Sequence, residues 1–369
     1  MRFCLFAMRL HLPGKPVLLL SIVTLAVPAA LSLLTSCEFS WGSKKALWPD
    51  LSPITLDSKV QTILTLLGEP PSPHAIETDG ENLAAAGREL FHAGRASHPE
   101  TGLPGRRLSE YFYCTDCHNT HREVPDPARL GDPASRLAFI DGRDLDLPPG
   151  PSLAGAVNRS TWFTGDRFAE RVATPEEIGR ARSSLREAIR LCAQAGASGR
   201  QPELWEIEAL LAFLWTREWT LADLGVTSIE LATWKRRALE PAETESVAGE
   251  IRARFAHATP STSGDPGPLA ESHNSDPENG RRVWTRSCQH CHGAEGTSEY
   301  YFGEEEGTWE ELASRFHSTG DRSIYSLIRD GTGPGEDKKA FMARYPVERL
   351  SDSQIEDLRA FVEQRADGG

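Results

Sequence analysis

The sequence predicts a mainly α-helical protein whose helices are connected by long loops. Several segments carry apolar residues at the spacing of helical turns, and we find no convincing alternation of apolar and polar residues over a useful length. A stretch rich in Pro, Ser, Gly and Asp divides these helical segments into two groups. Together these observations favour two helical domains joined by an irregular linker.

The helices of the first group have recognisable starting points. "NLAAAGRELFHAG" begins near Asn82 and presents Leu90 and Phe91 on one side. "TPEEIGRARSSLREAIRLCAQ" begins with Thr174 as N-cap and Pro175 at the first helical position, both typical of a helix start. We expect a helix through each of these segments.

A further helix is expected at the end of each group. "QPELWEIEALLAFLWTREW" carries apolar residues at helical spacing, namely Leu204, Ile207, Leu211 and Leu214. "SDSQIEDLRAFVEQR" opens with a capping box formed by Ser351 and Gln354. The predicted organisation has five parts: a signal peptide at 1–36, a tether and irregular region at 37–81, a first domain at 82–256, a linker at 257–277 and a second domain at 278–369.

The first 36 residues have the pattern of an export signal. Arg2, Arg9 and Lys15 precede an apolar run over 17–34, which is short for a membrane span and contains a proline. The run ends in Leu-Thr-Ser-Cys, which resembles the lipobox of bacterial lipoproteins and makes Cys37 the expected lipidation site. The alternatives are an ordinary signal peptide with an incidental Cys37, or an uncleaved anchor. Glu38 favours the outer membrane if the cell is Gram-negative, so we expect a lipid-anchored protein on the periplasmic side.

The charge of the chain limits its partners. The full sequence has a net charge of −13, and removal of the basic signal segment makes the remainder more acidic. Such a surface repels nucleic acid and favours basic or complementary redox proteins as partners.

Two Cys-x-x-Cys-His motifs indicate attachment of two haem c groups. In each, the two thiols add to the vinyl groups of a haem and the next histidine lies over the iron as a ligand. A zinc site or a redox-active dithiol is the alternative, but the paired histidines, the export signal and the preceding Gly-containing helical segments (Gly87 and Gly280) favour haem. The attachment residues are Cys114, Cys117 and His118 in the first motif, and Cys288, Cys291 and His292 in the second.

Both halves resemble class I cytochromes c. "PENGRRVWTRSCQHCHG" is similar to the N-terminal helix and haem motif of that family, and "FMARYPVERLSDSQIEDLRAFV" to its distal loop and C-terminal helix. The resemblance implies that Met342 is the axial ligand of the second haem, with a packing role as the alternative. In the first half, "GPSLAGAVNR" matches a family segment in which Pro151 would hold the ring of His118 through its carbonyl group. The alternative is a loop closed by glycine and proline.

The sixth ligand of the first haem is an open question, because no methionine lies between Met8 and Met342. Pairing Ile207 with Ile355 places Cys192 close to the position that corresponds to Met342, which makes it a candidate iron ligand. Cys192 also falls on a predicted apolar helix face, so a buried structural thiol is the alternative. A five-coordinate iron is the third possibility, and His290, inside the second motif, is expected to face solvent.

The sequence therefore favours a tethered electron carrier with two haems. The alternative is an oxidoreductase whose first haem is catalytic, since the arrangement resembles bacterial di-haem cytochrome c peroxidases, and Cys ligation would resemble thiosulfate-oxidising cytochromes. A lipid-tethered scaffold with structural haem is a third class, which the predicted Met342 site disfavours.

Overall fold

Helices supply all the extended regular structure in the computed structural model, which describes residues 50–368 apart from 77–80, 130, 163–172, 263, 265–266, 270–273, 294–295, 297, 299–307, 321–322 and 334–339. Over these residues there is no β-strand, only two isolated bridges, Lys59 with Thr220 and Ser97 with Pro104. The prediction of a mainly α fold is confirmed. Residues Leu47–Gly369 form one compact unit.

The helices that precede residue 256 include the first attachment motif. They are α1 (Val60–Leu66), α2 (Glu81–Ala93), α3 (Cys114–Cys117), α4 (Pro133–Asp141), α5 (Pro175–Ser183), α6 (Leu185–Leu191), α7 (Leu204–Trp215), α8 (Ser228–Arg237) and α9 (Pro241–Arg252). The later helices are α10 (Pro277–Val283), α11 (Gln289–His292), α12 (Trp309–Phe316), α13 (Ile324–Asp330) and α14 (Asp352–Ala366). Two π-helical turns, Cys192–Gly196 and Trp284–Cys288, continue α6 and α10.

The predicted helix starts agree with the capping contacts. The Thr174 hydroxyl accepts a hydrogen bond from the backbone N–H of Glu177, and the Ser351 hydroxyl accepts one from Gln354. The segment after Thr174 is nevertheless two helices and not one. Ser184 adopts an extended conformation and its hydroxyl caps α6 by accepting from Glu187. The Ser184 side chain thus bonds to a backbone group and starts a new helix where the first one ends. The spacing of apolar residues carries no sign of this break.

Each half contains a pair of crossed helices in which a glycine permits close approach. An added Cβ on Gly87 of α2 would lie 1.8 Å from the carbonyl oxygen of Ala209 in α7. An added Cβ on Gly280 of α10 would lie 1.9 Å from the carbonyl oxygen of Asp357 in α14. The same added Cβ atoms would lie 2.9 Å from Cβ of Phe213 and 2.8 Å from Cβ of Phe361. Each phenylalanine comes four residues after the contacted carbonyl. The contacted residues, Ala209 and Asp357, come two positions after Ile207 and Ile355. The two pairs therefore cross in the register that aligns these isoleucines.

The apolar clusters do not follow the predicted domain boundaries. Leu137 and Ile140 of α4, together with Leu147, are buried in the cluster formed by α10, α12, α13 and α14. A segment between the first motif and Pro151 therefore completes the core of the second half. Residues 51–67, predicted as part of an irregular region, contain the buried helix α1, which packs in one cluster with α8 and α9.

The described part of the predicted linker contacts both halves. The carbonyl of His257 accepts from the backbone N–H of Thr161 in the first half at 2.9 Å, and later residues lie against the second half. The backbone N–H of Val347 donates to the carbonyl of Thr262 at 3.3 Å, and the N–H of Leu269 donates to Glu356 at 2.9 Å. The five-part division of the chain stays a prediction. The expected signal segment, with Cys37, lies outside the described residues. Over the described residues, no helix has the length and apolarity needed to cross a membrane.

Candidate functional site

The first attachment motif lies on a short helix with a fixed start and end. The Asp116 carboxylate accepts a hydrogen bond from the backbone N–H of Tyr113 at 2.8 Å, and the N–H of His118 donates to the carbonyl of Cys114 at 2.9 Å. Cys114 and Cys117 are free thiols, and burial raises the pKa of Cys114 to about 12. Both thiols are therefore protonated at neutral pH in the absence of haem.

The ring of His118 is held in one orientation by the loop at Gly150. Nδ1 of His118 lies 2.7 Å from the carbonyl oxygen of Pro151. Because a carbonyl can only accept, Nδ1 carries the proton and Nε2 keeps the lone pair that an iron ligand needs. Burial also lowers the pKa of His118, which favours the neutral ring. This contact is the one that the sequence predicts for Pro151.

Gly150 makes this arrangement possible. A Cβ at this position would lie 2.5 Å from Cε1 of His118 and 2.5 Å from the carbonyl oxygen of Cys117. Its backbone N–H donates to that same carbonyl at 2.8 Å. The loop therefore approaches the motif more closely than any residue with a side chain would allow.

The second motif follows α10 directly, through the π-helical turn that ends at Cys288. Burial raises the pKa of Cys288 to about 12, and neither Cys288 nor Cys291 is in a disulfide. A Cβ on Gly296 would lie 2.1 Å from the carbonyl oxygen of Cys291, so the chain after the motif also packs closely against it. The same donor set, two thiols and an adjacent histidine, is thus available twice.

Met342 lies on a segment that is fixed to residues 331–332. Its carbonyl accepts from the backbone N–H of Thr332 at 3.0 Å, and its own N–H donates to the Thr332 hydroxyl at 2.9 Å. The side chain is half-buried and packs against the same apolar cluster as Cys288. The structure therefore brings the predicted axial ligand and the second motif to one core.

Cys192 lies beside the thiols of the first motif. Burial is the main cause of the raised pKa values of Cys114 and Cys117, and the nearness of Cys192 is the next. Burial raises the pKa of Cys192 itself to about 11. The π-helical turn that begins at Cys192 is a local irregularity of a kind often found at functional sites. The predicted continuous apolar face through Cys192 is interrupted at Ser184.

The two attachment motifs contact each other, which the sequence did not predict. Nε2 of His290 in the second motif lies 3.1 Å from the carbonyl oxygen of Asp116 in the first. The prediction that His290 faces solvent is therefore wrong, because the first motif covers it. Burial raises the pKa of Cys117, and the nearness of Cys291 across the contact adds to that rise. Phe112 and Phe341, which flank the first motif and Met342, place their ring centroids 5.0 Å apart.

Tyr345 and a buried ion pair extend this contact. The Tyr345 hydroxyl donates to the carbonyl groups of Ser287 and Leu147. It thus joins the residue before the second motif to the segment that leads into the Gly150 loop. Glu123 and Arg349 form an ion pair in which each side chain is only 5% exposed. Sequence reasoning missed these residues, because their partners are distant along the chain and no local pattern marks them.

Comparison with known proteins identifies one domain. The cytochrome c family model matches residues 277–366. No curated protein and no solved structure matches the chain. The chain therefore contains a cytochrome c domain at residues 277–366, which implies one covalently bound haem c and haem-based electron transfer. The first motif lies outside the matched residues.

The residues of the matched domain fit that haem. Cys288 and Cys291 are not in a disulfide, so their sulfurs can form the two thioether bonds, and His292 follows them directly. Met342 offers a soft sulfur from the same apolar core. When bound, that haem would supply one-electron chemistry, and Cys288 and Cys291 would attach it, with His292 and Met342 as the candidate axial ligands.

Proposed function

We propose that the chain is a di-haem c-type cytochrome that transfers electrons between periplasmic redox proteins. The first haem is attached to Cys114 and Cys117 with His118 as ligand, and the second has His292 and Met342 as ligands. The single observation that carries this proposal is the repetition of one arrangement. A glycine-dependent helix crossing occurs in each half in the same register, and a Cys-x-x-Cys-His motif accompanies each crossing.

Contact between the motifs supports electron exchange between the haems. Each attachment cysteine is bonded to the edge of its own haem, so a short distance between the motifs shortens the path between the rings. Export and a lipid anchor at Cys37 complete the proposal, since attachment motifs of this type are consistent with an exported protein. The net charge of −13 supports basic proteins as electron donors or acceptors.

The haem content of the purified protein tests this proposal. We expect two haems per chain by the pyridine haemochrome assay, and one in the Cys114→Ser/Cys117→Ser variant. A matched Cys288→Ser/Cys291→Ser variant should also keep one. A single haem in the unmodified protein would exclude the di-haem proposal. As an electron carrier the protein should be reduced and reoxidised without turning over hydrogen peroxide.

A second candidate function rests on the distal side of the first haem. No methionine is available for it between Met8 and Met342, so an iron with an open or exchangeable position is a specific alternative. Such an iron would make the protein an oxidoreductase of the peroxidase type or one acting on sulfur compounds, with the second haem supplying or removing electrons. Steady peroxide turnover, or a high-spin ferric signal, would favour this candidate.

Cys192 is the residue whose substitution separates these alternatives. If its sulfur binds the first iron, Cys192→Ala converts a low-spin ferric signal of that haem into a high-spin one and raises its potential, since thiolate donates charge to iron. Electron paramagnetic resonance and potentiometry check this result. Cys192→Ser is the control for packing, because it keeps the size of the side chain. Unchanged spectra in both variants would remove Cys192 from the ligand set.

A further inference from the structure

Arg349 belongs to the matched cytochrome c domain but makes its strongest contacts with the other half of the chain. It lies between Met342 and the start of α14, and its side chain is 5% exposed. Its guanidinium forms a two-bond ion pair with the Glu123 carboxylate, one bond of which measures 3.0 Å. Nε and Nη2 also donate to the carbonyl oxygen of Pro148, at 3.1 and 2.6 Å.

The two partners of Arg349 belong to the two segments that lie beside His118: the segment that follows it in sequence, and the loop that holds its ring. Glu123 accepts a hydrogen bond from the side-chain amide of Asn119, the residue after His118, at 2.5 Å. Pro148 opens the short loop that carries Gly150 and Pro151. One guanidinium thus clamps the segment that follows the iron-ligand histidine to the loop that orients its ring.

This clamp is strong because it is buried and bidentate. A planar guanidinium that makes paired bonds to a carboxylate fixes geometry in a way that a lysine ammonium does not. Removing one partner of such a pair leaves a buried charge unpaired, so the surrounding loops must shift.

We propose that Arg349 is a positioning residue for the first haem, supplied by the domain that binds the second. It keeps the Pro151 carbonyl aligned with Nδ1–H of His118, and that hydrogen bond raises the electron donation of the imidazole to iron. The segment of the second half that carries Met342 and Arg349 therefore contributes to the reduction potential of the first haem. This inference rests on the proposed attachment of a haem to the first motif.

The variant Arg349→Lys tests the proposal because it keeps the charge and loses the clamp. We expect the potential of the first haem to rise and that of the second to stay unchanged. In the reduced, diamagnetic protein, the Nδ1 proton of His118 should exchange with solvent about tenfold faster by NMR, as suits the loss of one hydrogen bond between neutral groups. The matched control is Arg329→Lys, because Arg329 is equally buried and donates to the Asp352 carboxylate and to the carbonyl groups of Tyr345 and Leu350, all in the second half.

If Arg349→Lys does not fold, the neutral pair Glu123→Gln/Arg349→Gln replaces it, since exchanging both partners avoids an unpaired charge. Gln is too short to reach Pro148, so the same faster proton exchange is expected. A folded variant with two haems, an unchanged first potential and unchanged proton exchange would overturn the proposal. A single haem in the unmodified protein would instead overturn the di-haem function, and the same haem count distinguishes the two failures.

Discussion

Gly280→Ala and Gly87→Ala should each destabilise the protein by about 3 kcal/mol, at the upper end of the usual cost of overpacking. The added methyl would meet a backbone carbonyl oxygen at 1.9 Å in the first case and at 1.8 Å in the second. A backbone atom in a packed helix cannot turn aside as a side chain can, so the helices must separate and lose packing along the crossing.

This loss is a large part of the roughly 5–15 kcal/mol that stabilises an ordinary domain. Urea unfolding followed by circular dichroism gives the change in unfolding free energy, and haem content reports whether the sites survive. Gly179→Ala in α5 is the matched control, because no atom lies within 4 Å of its Cβ position. It should stabilise by about 0.5–1 kcal/mol, as Gly-to-Ala changes in helices do. If the crossing variants match the unmodified protein, the close helix contact does not exist.

Met342→Ala should remove the proposed distal ligand of the proposed second haem. The iron then becomes high-spin or binds water, and its potential falls, because a thioether stabilises the reduced state. Absorption and magnetic spectra show the change of spin state, and potentiometry shows the fall. Phe341→Leu is a suitable control, since Phe341 contacts Phe112 across the interface and carries no ligand atom.

The same site permits a direct measurement, because Met342 is the only methionine after Met8. Selenomethionine labelling therefore places one selenium atom in residues 9–369, and X-ray absorption at the selenium edge should detect an iron neighbour. Absence of that neighbour in the loaded protein, with the spectra of Met342→Ala unchanged, would assign Met342 to packing alone.

Local signals allowed much of the helical framework to be predicted from the sequence. The caps at Thr174 and Ser351 and the start of α2 depend on residues within one turn of each other, and the structure has them as predicted. The register that pairs Ile207 with Ile355 agrees with the helix crossings, because apolar spacing along a helix determines which face is buried. The break at Ser184 and the helix α1 were missed, since a serine and a short segment between prolines are ambiguous locally.

The contacts between the halves could not be predicted from the sequence, because the residues that form them are far apart along the chain. His290 meets Asp116 across 174 residues, and Arg349 meets Glu123 across 226. Neither residue has a periodic neighbour or a motif that marks its partner. The placement of His290 against the first motif was therefore found only from tertiary structure, as was the clamp around His118.

The position of α4 bears on how the protein is assembled. Leu137, Ile140 and Leu147 precede the cytochrome c domain by more than a hundred residues and yet lie inside its core. A chain that emerges from its N-terminus displays these side chains before their packing partners exist. The second domain is then completed on a surface that the earlier part of the chain has already provided. Residues 277–366 on their own would therefore lack three buried side chains of their core.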